Sequence, residues 1–348
     1  MRDRVEQLDG LRGIFSVLVV AHHHNAFKES MFYNNFFVIN SSLFVDFFFV
    51  LSGFVISMNY INRINSKEDF FQFIKKRFIR LYPLLLYTEV VFLIANLIGD
   101  QSSLKNVSDL GASYYLHTTL DTLTFMGSTP VFGSWIGLNY PAWSISSEMI
   151  SYVVFGIVLL LLPVRKNIVF CIIILSAAIF TVQHGDYLLS YDYGFIRGLL
   201  CFCMGVLTFE VIKKQNPNLS FWEIPYLAVL LIMMYAVHHY DLNLWKLVFP
   251  IYFALGIFVF CNSSGSVTKL LSSRPFQYLG KISYSVYLNH AIVLIFINII
   301  LFRVLKSPET EWMIGFSLLV SVTMTIIYSH FTYEWVEMRF GKFLKARL

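Results

Sequence analysis

The stretch LDGLRGIFSVLVVAHHHN, residues 8–25, sets one arginine near the start of an apolar run and three histidines at its end. In a helix, the eleven residues from Arg12 to His23 turn through about 1100°, roughly 20° past three full turns. The two side chains therefore share one face, about 16 Å apart along the axis, with His22 and His24 about 100° to either side. Imidazole exchanges protons near neutral pH and guanidinium stays charged. Such a face suits anion binding at one depth and proton transfer at another. His23 is the candidate general base. Asp46, in LFVDFFFVLSGF, falls at nearly the same depth on the next apolar run. It is the expected carboxylate partner, which would fix the imidazole tautomer and raise its basicity. His22 and His24 read as packing residues.

Other polar groups recur at helical spacing. In AWSISSEMISY, Ser144, Glu148 and Ser151 stand at i, i+4 and i+7; in GKISYSVYLNHAI, Ser283, Tyr287 and His290 do the same. Each set also fits plain helix–helix hydrogen bonding. KKRFIRLYP carries Arg77 and Arg80 three apart, hence neighbours on one face, where paired guanidiniums can hold phosphate. Lys75 and Lys76 beside them are accounted for as ordinary charges flanking a membrane span. Ser52, Gly53 and Phe54 form a notch where a backbone or a ligand chain can approach closely.

These groups have to be held by elements that composition identifies. The chain has 348 residues, of which 57% are hydrophobic and only 14% charged, and its mean hydropathy is +0.65. A soluble domain needs roughly twice that charge. Apolar runs long enough to cross a bilayer recur throughout. The expected fold is all-α and polytopic: one membrane domain over 1–348, no room for a sizeable soluble one, and about ten transmembrane helices. The expected spans are 11–27, 43–62, 78–98, 142–162, 167–183, 193–212, 222–239, 244–262, 282–302 and 312–335. Arg2 and Arg4 precede the first run, but no small-residue cleavage pattern follows, so an uncleaved first span is expected. The four cysteines lie inside apolar runs and read as small buried side chains, with no disulfide and no metal set.

Ten spans leave both termini on one side. That side would carry nineteen of the 26 lysines and arginines; the other would carry five, Lys28, Lys105, Lys246, Arg303 and Lys306. The positive-inside rule makes the richer side, and both termini, cytoplasmic. The net charge of +5 then reflects topology and not nucleic-acid binding. One long extracytoplasmic connection, 99–141, stands out. Within it, residues 110–126 can form a helix on or dipping into the membrane, either as a lid or as a passive surface element.

Taken in order, these segments resemble the acyltransferase family 3 membrane proteins, which include bacterial O-acetyltransferases of O-antigen, capsule, peptidoglycan and nodulation factors. LDGLRG with His23 resembles the family's arginine–histidine signature, VDFFFVLSGFVIS its second-helix motif and RFIRLYP its paired-arginine motif. PAWSISSEM, LGKISYSVYLNHAI and YEWVEMRF, the last with Glu337, resemble its later motifs. The segment around Arg197 lacks an acidic residue that the family often has shortly after it. No esterase-like domain is appended, so the chain looks like a stand-alone version. The resemblance implies a multi-pass enzyme of the bacterial inner membrane. It would take an acyl group, acetyl above all, from cytoplasmic acyl-CoA to a hydroxyl of an extracytoplasmic or lipid-linked glycan. His23 would be catalytic with Asp46. Arg12, Arg77 and Arg80, with Ser52, Gly53 and Phe54, would bind the acetyl-CoA donor. Trp143, Glu148, Arg197, Tyr287 and His290 would contact substrate. Direct attack and a transient acyl-histidine both remain open, and no metal is required. The rival classes are a transporter or flippase using the same polar groups, and a membrane receptor. A transporter often shows repeat symmetry, and none is visible in the sequence.

Overall fold

The computed structural model describes residues 5–100, 111–133, 136–214 and 217–347. Arg2, Arg4 and Lys105, which enter the charge count, lie outside these, as do 101–110 and 134–135 of the long connection. The described residues form helices joined by turns and loops and hold no strand. In chain order the helices are α1 Glu6–His22, α2 Phe36–Ile39, α3 Phe44–Tyr60, α4 Lys67–Asp100, α5 Ala112–Leu123, α6 Trp143–Leu161 and α7 Lys166–His184. They continue with α8 Gly194–Ile212, α9 Glu223–His239, α10 Val248–Cys261, α11 Ser266–Leu271, α12 Arg274–Asn298, α13 Glu311–Thr332 and α14 Gly341–Arg347.

Nine helices among the described residues are long and apolar enough to cross a membrane. Helix α1, with 17 residues, is not among them; the shortest of the nine, which count adjoining helical turns, has 18. Helix α1 runs parallel to α12 all the same. Gly13 abuts Gly280, where an added Cβ would lie 2.6 Å from the Gly280 nitrogen, and ten residues on His23 meets His290. Small residues at such a contact let backbones touch. Helix α4 begins eleven residues before the expected span and runs unbroken through Pro83. Its early turns are amphipathic and charged, so an apolar window misses them. At 34 residues it is about 51 Å long, well beyond the hydrocarbon thickness. The segment expected to be helical within 110–126 is α5.

Helices α3, α6 and α8 form the interior, while α7 and α9 show most of their apolar side chains to the outside, Leu175 and Ile232 among them. This is the inverse of a soluble surface and the arrangement that lipid requires. Helices α3 and α8 approach closely through glycines: a Cβ on Gly53 would collide with the Phe202 carbonyl, and one on Gly205 with the Val50 carbonyl. Gly53 and the fully buried Phe54, whose ring meets Phe209 edge-on, thus face α8. They are packing residues, and the expected ligand notch reduces to Ser52.

Candidate active site

A cavity of about 180 Å³ opens between α1, α3, α4, α6 and α12. Arg12, Arg77 and Arg80 line one end of it, and Phe48, Ser144 and Tyr287 the other, with Ser52, Glu148 and Tyr152 between. The paired arginines of α4 do share a face, as their spacing predicts. Each is committed differently. Arg12 donates to the Gly280 carbonyl at 2.8 Å and stands 3.5 Å from Asp9. Arg80 pairs with buried Glu337 at 2.5 Å, and Ser285 donates to that carboxylate at 3.0 Å, tying α4 and α12 to the helical turn after α13. Arg77 has no carboxylate partner among the described residues. It donates to the Tyr60 hydroxyl at 3.4 Å and lies over the Tyr60 and Tyr152 rings. Midway along the wall, Glu148 accepts hydrogen bonds from Ser52 (2.6 Å) and Tyr152. Ser144 and Glu148 share the cavity face, but the face continues to Tyr152 at i+8. Ser151 turns away and donates to its own helix at the Ser147 carbonyl, 2.8 Å.

Beyond Tyr287 stands the histidine end of α1, where each of the three histidines is held by a different neighbour. His22 Nδ1 is 3.1 Å from the Val38 carbonyl, and His24 Nε2 is 2.8 Å from Ser317 Oγ on α13. Between them, His23 Nδ1 lies 3.0 Å from the Val19 carbonyl and 2.9 Å from His290 Nε2. With the hydrogen on His23 Nδ1, that nitrogen donates to the Val19 carbonyl, which can only accept, and faces the lone pair of His290 Nε2. The free lone pair of neutral His23 is then on Nε2. Tyr140, in the turn that precedes α6, covers this pair with its ring 4.9 Å from that of His23. A backbone carbonyl and a second histidine thus stand at Nδ1, where sequence reasoning expects a carboxylate.

Asp46 is not that partner. Fully buried, it accepts from Arg197 Nε at 2.7 Å and from the Tyr187 hydroxyl at 2.8 Å. Arg197 spends its other donors on the Leu189 and Ser42 carbonyls, both at 3.4 Å, and its guanidinium lies over Trp143 and Tyr187. Neither Asp46, expected beside His23, nor Arg197, expected at the substrate, lines the cavity. The reason is legible in hindsight: Gly53 follows Asp46 by seven residues and so shares its face, and that face is glued to α8. His290, also expected to touch substrate, is fully buried and touches His23. Tyr287 does line the cavity; its hydroxyl donates to the Pro141 carbonyl at 3.2 Å and its ring stands 5.9 Å from His290.

A model of the acyltransferase family 3 domain matches residues 5–331. The chain belongs to this family. It is 24% identical to the O-acetyltransferase OatA of Staphylococcus aureus, in an alignment that covers 95% of this chain and 56% of that protein. It is 26% identical to the putative peptidoglycan O-acetyltransferase YrhL of Bacillus subtilis, over 95% and 54%, and 26% identical to the putative membrane-bound transacylase BcsY of Komagataeibacter xylinus, over 94% and 82%. The chain thus spans little more than half the length of the first two. No solved structure matches significantly. Membership in this family speaks for acyl transfer over transport.

Sequence reasoning misses Tyr152, which is visible in principle as the i+8 continuation of Ser144 and Glu148. It also misses Tyr140, which comes from the long connection and carries no periodic signal.

Proposed function

We propose that the chain moves an acyl group, acetyl first of all, from cytoplasmic acyl-CoA to a hydroxyl of an extracytoplasmic or lipid-linked glycan, as a multi-pass enzyme of the bacterial inner membrane. The supporting observation is the line from three arginines, along one cavity, to a histidine whose Nε2 lone pair is left free. In this reading α1 is a tenth span and the arginine-rich end is cytoplasmic, as the distribution of basic residues requires. The parallel course of α1 and α12 fits, because both would then be crossings made outward from the cytoplasm.

The phosphates of the donor would meet Arg77, Arg80 and Arg12, and the pantetheine arm would follow the cavity past Ser52 and Glu148 toward Tyr287. Tyr287 stands between the cavity's far end and the His23–His290 pair, so its ring must be passed or displaced. His23 Nε2 takes the proton of the acceptor hydroxyl while the oxygen forms its bond to the thioester carbonyl carbon. The carbon–sulfur bond breaks, and the thiolate leaves and is protonated by the imidazolium, so that ester and free thiol are the products. Proton transfer by a positioned base contributes about 10² to 10⁴-fold in rate.

The purified chain in lipid nanodiscs, given radiolabelled acetyl-CoA and oligosaccharide acceptors, is expected to form labelled ester. His23→Ala should lower the rate by about 10² to 10⁴-fold while elution volume and acetyl-CoA binding stay as in the wild type. A folded His23→Ala protein that keeps most of its activity would overturn the assignment of the base.

A further inference from the structure

A second cavity is lined by Tyr140 and by residues of the long connection. It is small, about 20 Å³, room for roughly one water or one hydroxyl group. Asp121, Thr122, Asn139, Tyr140, Trp143 and Tyr191 are among the residues that line it. Two of these residues each carry a buried side-chain oxygen without a partner, Asp121 Oδ1 and Asn139 Oδ1, on residues 2% and 1% exposed. The orientation of the Asn139 amide is fixed, because its nitrogen donates to the Leu288 carbonyl at 3.1 Å. The oxygen is thus the atom left over. Leu288 is two residues before His290 on α12, and Tyr140 packs its ring against His23. Tyr140 thus connects the notch to the proposed base.

Two unpaired acceptors call for a donor, since a buried acceptor without one costs about 1–3 kcal/mol. The aromatic residues Tyr140, Trp143 and Tyr191 line the same notch. Hydroxyl donors spaced along a ring whose C–H faces are apolar are the chemistry of a pyranose. We infer that this notch is the acceptor-recognition site, and that Asp121 and Asn139 receive a sugar hydroxyl neighbouring the one to be acylated. The inference rests on the acyl-transfer reading and adds the recognition of its second substrate.

The test uses the whole chain in nanodiscs with acetyl-CoA as donor and chitopentaose and cellopentaose as acceptor probes. Asp121→Ala is expected to raise the acceptor KM at least tenfold with the acetyl-CoA KM unchanged. Gly137→Ala is the second variant, removing no polar group. Its methyl would enter the notch wall with nothing nearer than Thr122 Oγ1 at 3.6 Å, and it should also raise the acceptor KM selectively. Acceptor kinetics unchanged in Gly137→Ala, and unchanged or uninterpretable through misfolding in Asp121→Ala, would overturn the inference and leave the notch as the seat of a structural water. Acetyl-CoA hydrolysis by the wild type with transfer to neither probe would overturn the inference and spare the donor half of the proposed function. Absence of any acetyl-CoA turnover would overturn the proposed function itself.

Discussion

Two arginine–carboxylate pairs join helices far apart in the chain, and they differ in what the cation has left to give. In the Asp46–Arg197 pair both side chains are sealed, 0% and 4% exposed, and the arginine also serves two carbonyls and two aromatic rings. In the Arg80–Glu337 pair the carboxylate is buried, but the arginine is 40% exposed and lines the cavity. A charge inside a membrane domain marks a functional site by default, and both pairs meet that description. Unspent hydrogen-bonding capacity separates them. Arg197 is sealed and engaged at all three nitrogens, and acts as a bolt between α3 and α8; Arg80 and, more so, Arg77 face the cavity and can still take a ligand.

The largest expected effect tests the bolt. Breaking a buried ion pair by deleting one partner costs about 3–5 kcal/mol, because the other charge stays buried and unpaired. Asp46→Ala and Arg197→Ala should each lower thermal stability in detergent sharply. The double variant Asp46→Ala/Arg197→Ala should be less destabilised than the sum of the two. A stable Asp46→Ala protein that has lost only its catalytic rate would return Asp46 to the role that its depth suggests.

The next effect concerns donor binding. Lysine keeps the charge and loses the planar fork. Loss of one charge-assisted hydrogen bond is worth about 1.5–3 kcal/mol, so Arg77→Lys should weaken acetyl-CoA binding by roughly 10 to 150-fold. Arg80→Lys should cost less, because Glu337 already holds much of that cation's capacity. Isothermal titration would read the order, and equal losses would mean that Glu337 leaves Arg80 on binding.

Smaller still is the expected effect of His290→Ala. The Val19 carbonyl still keeps the hydrogen on His23 Nδ1, so one hydrogen bond of about 0.5–1.5 kcal/mol is lost. The rate should fall about two- to tenfold, with an unchanged donor KM and a shifted pH profile. A loss as large as that of His23→Ala would make the two histidines a single proton-handling unit. The least change is expected from His22→Ala, whose imidazole only anchors α1 to the Val38 carbonyl. A modest fall in stability with normal turnover is the expected reading, and an inactive, folded His22→Ala protein would show that the wrong histidine has been chosen.

The sequence by itself determined the all-helical membrane architecture, most helix positions, and which residues of a single helix share a face. Arg77 with Arg80, Ser144 with Glu148, and the separation of His23 from His22 and His24 all follow from the 3.6-residue period. That period is a property of one backbone, and apolar length is a property of one segment against lipid, so neither needs a neighbour to be known. Only the tertiary structure decided which face meets which helix. Asp46 and His23 agree in depth, yet depth leaves rotation about the axis open. The glycine contacts of α3 with α8 turn Asp46 toward Arg197 and leave Ser52 on the cavity. His290, 267 residues from His23, takes the place beside it because Gly13 and Gly280 bring α1 and α12 into backbone contact. The notch beside Tyr140 is set in the same way, since Asn139 meets Asp121 of α5 there only through the path of the long connection.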